Sequence, residues 1–349
     1  MSSIPRPLLP LVPLRRNALG LTIRDYDGAM STLCAGCGHD SATAAVAEAL
    51  WESDLAPHDV VKVSGIGCSS KTTAYFAAGG HGFNSVHGRM APIATGANAA
   101  NRRLCYLGIS GDGDSLSIGL GHLCHAIRRN VNLTYIIENN GVYALTKGQF
   151  SPSADLGTRS KRGEANEIAP IDPMLLGLAL GATFLARGFS GDKDHLVPIL
   201  KAALAHDGFA LIDVISPCIQ FGNHEGSTKS YVAVREHEWL VGDLIDGAES
   251  PEASLAGTGE LEVELHSGGV LRFASLPPGY DPRDRLSVAR HLEEHRRRDE
   301  IPMGLLYVDG SVPDLHGLAE TTEVPLNAVP FGELCPGSAA LDELQAALR

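Results

Sequence analysis

RLCYLGISGDGDSLSIG, residues 103–119, decides how this chain folds. An apolar run climbs to Ser110, breaks on Gly111-Asp112-Gly113, and gives way at once to the helical spacing of SIGLGHLCHAIRRN (117–130). A strand that stops in glycines and turns straight into a helix is half of a βα unit. Gly111 and Gly113 let the backbone approach an anionic group closely, and the helix behind them turns its N-terminus toward it. The next apolar run, NLTYIIENNGVY (132–143), delivers Asn140 at its end, 28 residues after Asp112. A carboxylate and an amide on adjacent strand ends, with the Val142 carbonyl, could hold Mg²⁺ against two diphosphate oxygens and a water. Taken singly, GDG and NNG would each pass for a simple turn. Their spacing on successive strands favours the metal–diphosphate site.

The same texture repeats on both sides. DVVKVSGIGCSS (59–70), GATFLARGFSGD (181–192) and FALIDVISPC (209–218) are buried strands running into loops, while SATAAVAEALWES (41–53) and KDHLVPILKAALAHD (193–207) have helical spacing. This alternation predicts an α/β fold, a doubly wound and mostly parallel sheet whose ligands collect beyond the carboxyl ends of the strands. Aromatics at 5% and 39 glycines suit tight α/β loops better than a β-sandwich. We expect an N-terminal arm over 1–30, a binding domain over 31–235 and an extension over 236–349 that packs on the main domain or a partner. Within that extension, ELEVELHSGGVLRFASLPPGYDP reads as a hairpin, RLSVARHLEEHRRRDE as a surface helix and GSAALDELQAALR as a terminal helix.

A net charge of −13 lacks the basic footprint of a nucleic-acid surface. No apolar run reaches the roughly 20 residues of a membrane helix. The first 16 residues carry four prolines, so they read as an extended arm rather than a signal peptide, and the expectation is a cytoplasmic protein. Seven cysteines are too sparse for a disulfide scaffold. Cys34 and Cys37, in STLCAGCGHD (31–40), are a redox pair or half of a metal site. Cys68 and Cys218 lie where strands open into loops. Cys105 sits inside a strand and Cys124 on an apolar helix face, both as small buried residues, and Cys335 stays open.

GDG with an Asn on the next strand end is the thiamine diphosphate signature. The wider string GDGDSLSIGLGHLCHAIRRN…NNGVYALTKGQFSPS resembles the β subunit of 2-oxoacid:ferredoxin oxidoreductases, from about Cys34 to Tyr231. The resemblance implies oxidative decarboxylation of a 2-oxoacid on thiamine diphosphate, with electrons passing through a [4Fe–4S] cluster to ferredoxin and an acyl-coenzyme A as product, or the reverse. It implies that Cys34, Cys37, Cys68 and Cys218 bind the cluster, through the CxxC, GxGCSS and SPC motifs; the alternative is a structural zinc site. It places Ile66, Gly67, Cys68 and Ser69 against the cofactor, with His87 of HGRM beside it and Gly113, Asp114, Ala144 and Leu145 in its loops. Lys71 and Arg89 are the candidates to meet a substrate carboxylate.

This chain departs from the pattern at Ala144, where relatives commonly carry Gly, and at Gly121, where Asn is frequent. A methyl at 144 narrows the loop and removes access to positive φ. The glutamate that activates the cofactor's aminopyrimidine is missing. The resemblance therefore implies an α-subunit partner, in a heterodimer or a heterotetramer built from two. NHEGSTKSY (223–231) resembles the 2-oxoglutarate branch more than the pyruvate branch; a non-redox thiamine diphosphate enzyme is the remaining alternative.

Overall fold

The computed structural model describes residues 14–245, 259–264, 270–335 and 337–348. The first part of the expected N-terminal arm and the turn of the expected hairpin lie outside them.

The first four strands are β1 (Val60–Ser64), β2 (His81–Asn84), β3 (Cys105–Gly111) and β4 (Leu133–Asn139). A ribbon of β5 (Val142–Tyr143) and β6 (Gln149–Phe150) follows, then β7 (Phe184–Phe189) and β8 (Phe209–Ile215). The C-terminal third adds β9 (Glu238–Leu240), β10 (Asp243–Ile245), β11 (Gly259–Glu264), β12 (Val270–Leu276) and β13 (Ile301–Val308). The eight-stranded main sheet runs β2-β1-β3-β4-β8-β7-β13-β9. From β2 to β7 every pair is parallel, and β13 enters antiparallel to β7. The sheet is mostly parallel, as expected. Residues beyond 236 thus supply two strands of it, β9 and β13, while β10, β12 and β11 form a separate three-stranded sheet.

Continuous burial explains why the central strands read as unbroken apolar runs. β4 and β8 are buried at every residue because helices cover both faces. Helix α1 (Gly38–Glu52) packs on the later helix α5 (Lys193–Ala205); the second row is α2 (Met90–Ala100), α3 (Leu120–Arg128), α4 (Pro173–Leu180) and α7 (Arg285–Arg297), and α6 (Tyr231–His237) lies between α5 and α7 in sequence. Helix ends follow local chemistry. Asp172 caps α4 by accepting from the Met174 and Leu175 amides, Pro173 fills its first turn, and Gly181 at φ 84° ends it. The C-terminal segment Ser338–Ala347 is helical but buries none of its residues.

Phe184 and Phe209, fully buried between the layers, each contribute about 2–3 kcal/mol. Among the described residues no helix is long and apolar enough to cross a membrane.

From β1 the chain moves outward to β2; from β3 it moves the other way to β4. The strand order reverses between β1 and β3, which opens a crevice at their carboxyl ends. That crevice positions the site.

Candidate active site

β1, β3, β4 and β8 are consecutive and parallel, so the loops after Ser64, Gly111, Asn139 and Ile215 emerge side by side. Asp114 locks the loop after Gly111 to the loop that follows β2. Its buried carboxylate accepts from Ser110 Oγ at 2.6 Å and from the Gly88 amide at 2.8 Å, and it pairs with His87 Nδ1. Gly65 is required beneath it, since a Cβ there would stand 1.9 Å from Asp114 Oδ2. Beyond Asp114 the backbone makes one π-helical turn, Asp114–Ile118, before α3 begins; such insertions concentrate at functional sites. Tyr143 lies on the GDG loop from the β5 ribbon. Its hydroxyl donates to the Gly113 carbonyl at 3.3 Å, and a Cβ on Gly113 would strike its ring at 2.3 Å.

Asp112 is fully enclosed, and Oδ2 accepts from the Gly141 amide at 3.0 Å, Ser153 Oγ at 2.6 Å and Ser151 Oγ. Burial pushes its pKa up, against the pull of the two serines and Lys229. All three donors sit on Oδ2, so none of them occupies Oδ1. Asn140 accepts from the Val142 amide through Oδ1 at 3.0 Å. The donor set of Asp112, Asn140 and the Val142 carbonyl is all hard oxygen, which suits a small divalent cation completed by diphosphate oxygens. Among the described residues no three His, Cys, Asp or Glu gather as a single-ion site. A site with one carboxylate from this chain is not such a cluster.

Four of the cysteines lie on the neighbouring loops and turn. Cys37 donates its amide to the Cys34 carbonyl at 3.0 Å, closing the CAGC turn over Gly36 at φ 77°. The turn is docked on the loop after β8: the Gly38 amide reaches the Pro217 carbonyl at 3.2 Å, and a Cβ on Gly38 would meet the Ser216 backbone at 2.7 Å. Burial pushes the Cys37 thiol up to about 12 and raises Cys68 and Cys218 too. The thiols also raise one another electrostatically: Cys218 acts on Cys37 and Cys68, and Cys34 acts on Cys68 and Cys218. Four thiols within electrostatic reach suit a cubane, whose thiolates each hold a different iron and so need not crowd one centre. Cys105 starts β3, about 20 Å of strand away from Gly111. It belongs to the other edge.

Residues 65–214 match the thiamine pyrophosphate enzyme, C-terminal TPP binding domain family. The chain is 43% identical over 206 residues to the 2-oxoacid:ferredoxin oxidoreductase subunit beta of Saccharolobus solfataricus, covering 59% of this chain and 67% of that one. It belongs to the family of 2-oxoacid:ferredoxin oxidoreductase β subunits. A 2-oxoglutarate oxidoreductase subunit KorB of Mycobacterium tuberculosis is 38% identical over 216 residues, 60% of this chain and 57% of that one. The solved 2-oxoglutarate:ferredoxin oxidoreductase from Magnetococcus marinus, with 2-oxoglutarate, coenzyme A and succinyl-CoA bound, superposes with a TM-score of 0.69. It is 29% identical, and the likeness covers 86% of this chain and 89% of that one. The matched domain is one that binds thiamine diphosphate, and it spans both the GDG loop and Asn140.

The remaining expected site residues of this β subunit divide into two groups. Ile66 and Leu145 are exposed apolar side chains on the rim, Gly67 takes φ 128°, and Ser69 is buried beside Gly111. Lys71 is exposed on the 3₁₀ turn after Cys68, whose thiol its charge favours in the ionised form. Arg89, half-buried, donates through Nη1 to the Gly88 carbonyl at 3.2 Å and the Ile118 carbonyl at 3.4 Å. Asp114 likewise turns inward to Ser110, Gly88 and His87. Ala144 keeps negative φ; the left-handed residues of its loop are Lys147 and Gly148, at φ 80° and 97°. Sequence reasoning missed Ser151, Ser153 and His39. The serines stand in the quoted QFSPS, but nothing local says that they reach back to Asp112. Lys229 of NHEGSTKSY is buried and pairs with Asp155 at 2.6 Å, so that loop braces the Asp112 network from behind.

Proposed function

We propose that this chain is the β subunit of a 2-oxoglutarate:ferredoxin oxidoreductase, converting 2-oxoglutarate and coenzyme A to succinyl-CoA, or the reverse. It works with an α subunit, as a heterodimer or a dimer of heterodimers in the cytoplasm, and passes electrons to ferredoxin. The single observation that carries the reading is positional. Four adjacent parallel strands run into loops that carry Cys68, Asp112, Asn140 and Cys218, an arrangement that supports a diphosphate-bound cation beside an iron–sulfur cluster. When bound, thiamine diphosphate supplies carbanion stabilisation for decarboxylation, and a [4Fe–4S] cluster takes up electrons singly.

This chain's own residues do the placing. Asp112, Asn140 and the Val142 carbonyl would hold Mg²⁺, and Ser151, Ser153 and Gly141 fix the carboxylate of Asp112 through Oδ2. Asp114 holds His87 by Nδ1, which leaves Nε2 as the nitrogen able to face the cofactor. Cys34, Cys37, Cys68 and Cys218 would hold the cluster as thiolates, so loading it would release their protons. Lys71, exposed beside Cys68, is the first candidate to meet a distal carboxylate, with Arg89 the second. The 2-oxoglutarate preference draws support from the KorB relative and the Magnetococcus marinus enzyme. An anaerobic panel of 2-oxoacids with coenzyme A and a viologen acceptor, using the complex with its α subunit, tests it. 2-Oxoglutarate should give the highest kcat/KM; preference for pyruvate would refute the substrate, and no turnover with any 2-oxoacid would refute the activity.

A further inference from the structure

We propose that His39 is a positioning residue that decides which end of the Asn140 amide faces the cation. The proposal rests on the reading of Asp112 and Asn140 as cation ligands. An asparagine has two ends of almost equal shape and opposite polarity. Turned one way it offers an oxygen to a cation, and turned the other way two N–H groups that repel it. Only a neighbour that distinguishes the two ends can fix the choice. Asn140 Nδ2 lies 3.4 Å from His39 Nε2, inside the protein. An amide nitrogen only donates, so Nε2 is the accepting nitrogen and the ring hydrogen sits on Nδ1.

Nδ1 has its own acceptor in Ser216 Oγ at 2.6 Å, and Glu138 Oε2 lies 3.4 Å from it. The ring is therefore held from both sides by groups at the ends of β4 and β8. His39, Glu138, Asn140 and Ser216 are all buried, with no bulk water to supply a substitute partner. With Nδ2 committed to the histidine, Asn140 Oδ1 points the other way. There it accepts from the Val142 amide at 3.0 Å and keeps its second lone pair for a cation. His39 opens α1 two residues after Cys37, and Thr43 Oγ1 fastens its carbonyl at 2.7 Å. The turn that brings two of the thiols thus also carries the group that orients the cation ligand. An outer partner that sets a ligand's orientation is commonly worth 10- to 100-fold in metal affinity.

The test is calorimetric binding of thiamine diphosphate with Mg²⁺ to the intact complex after the cofactor has been stripped, with iron content measured on the same samples. His39→Met removes the acceptor and keeps the bulk, and should weaken Mg²⁺-dependent binding by about 10- to 100-fold while iron stays at the wild-type level. His39→Gln offers a carbonyl to the same amide and should bind near the wild-type value. In the N140D background both ends of residue 140 are oxygens, so adding His39→Met should cost little; this non-additivity reports orientation rather than general damage. Unchanged affinity in His39→Met, or the same loss with and without N140D, overturns the proposal. Should His39→Met not fold, His39→Gln decides: near-wild-type affinity supports the acceptor role, and a loss of about tenfold overturns it. Asp112→Asn separates the two levels, since full affinity there removes the cation reading itself, whereas a His39 failure beside a strong Asp112 effect removes only this proposal.

Discussion

Replacing Gly65 with alanine puts the tightest contact of the site to the test. The new methyl would stand 1.9 Å from Asp114 Oδ2 and 2.7 Å from Ser110 Oγ, closer than any real Cβ contact. Asp114 is held on both sides by the loops it joins, so the side chain has to leave its hydrogen bonds or β1 has to separate from β3. Two neutral donors reach that buried carboxylate, Ser110 Oγ and the Gly88 amide. Hydrogen bonds to a charged group contribute about 1.5–3 kcal/mol each, so losing both costs about 3–6 kcal/mol. The His87 pair is left out of that figure because the imidazole is 42% exposed and its charge is screened. At roughly 2–4 °C per kcal/mol for domains of a few hundred residues, the melting temperature should fall by at least about 6 °C. Gly121→Ala is the control, since a Cβ at this helical position meets nothing within 4 Å. Differential scanning fluorimetry reads the stability and calorimetry the thiamine diphosphate affinity, which should fall as the Gly88 loop unseats. A Gly65→Ala protein that melts with the wild type and keeps its cofactor affinity would refute the locked-loop account.

Cys218→Ala should lose its iron while Cys105→Ala keeps it, measured as iron and acid-labile sulfide after anaerobic purification; full iron in Cys218→Ala would turn attention to Cys335. Lys71→Met should lower kcat/KM for 2-oxoglutarate by roughly 10- to 150-fold and leave pyruvate unchanged, and an equal fall for both would make Lys71 a support of its loop. His206 is held neutral by burial, its pKa lowered from 6.5 to about 4. The unfolded chain binds a proton that the folded state refuses in that window, so stability falls as the pH drops from 6.5 to 4, by up to about 1.4 kcal/mol per pH unit. His206→Gln should flatten the dependence of melting temperature on pH there, and an unchanged slope would contradict it.

The strands that build the crevice were legible because each is a continuous apolar run ending in small and polar residues. β2 was not: its four residues, His81–Asn84, are all exposed and carry no apolar alternation. The three residues of β9 are too short to signal, and the antiparallel entry of β13 beside β7 is settled by tertiary packing. At the site, the placement of Asp112 and Asn140 on adjacent strand ends could be read from spacing alone, because strand ends in a parallel sheet share one edge. The hydrogen bonds of Asp114 and Arg89 could not. Whether a carboxylate faces a cofactor or a neighbouring loop depends on Gly65 beneath it, 49 positions earlier in the chain. Ser151 and Ser153 reach Asp112 across a ribbon, and His39 reaches Asn140 across 101 residues, pairings that no local pattern encodes.

Reduction of the proposed iron–sulfur cluster by 2-oxoglutarate tests the central claim most directly. The complex with the α subunit would be purified anaerobically, mixed with 2-oxoglutarate and coenzyme A without any external acceptor, and followed by visible absorption and low-temperature electron paramagnetic resonance. The account predicts a brown protein whose visible band bleaches on mixing, with the signal of a reduced four-iron cluster, and no change in either when thiamine diphosphate has been stripped. A colourless, iron-free complex, or an iron-loaded one that 2-oxoacids leave oxidised, would contradict it.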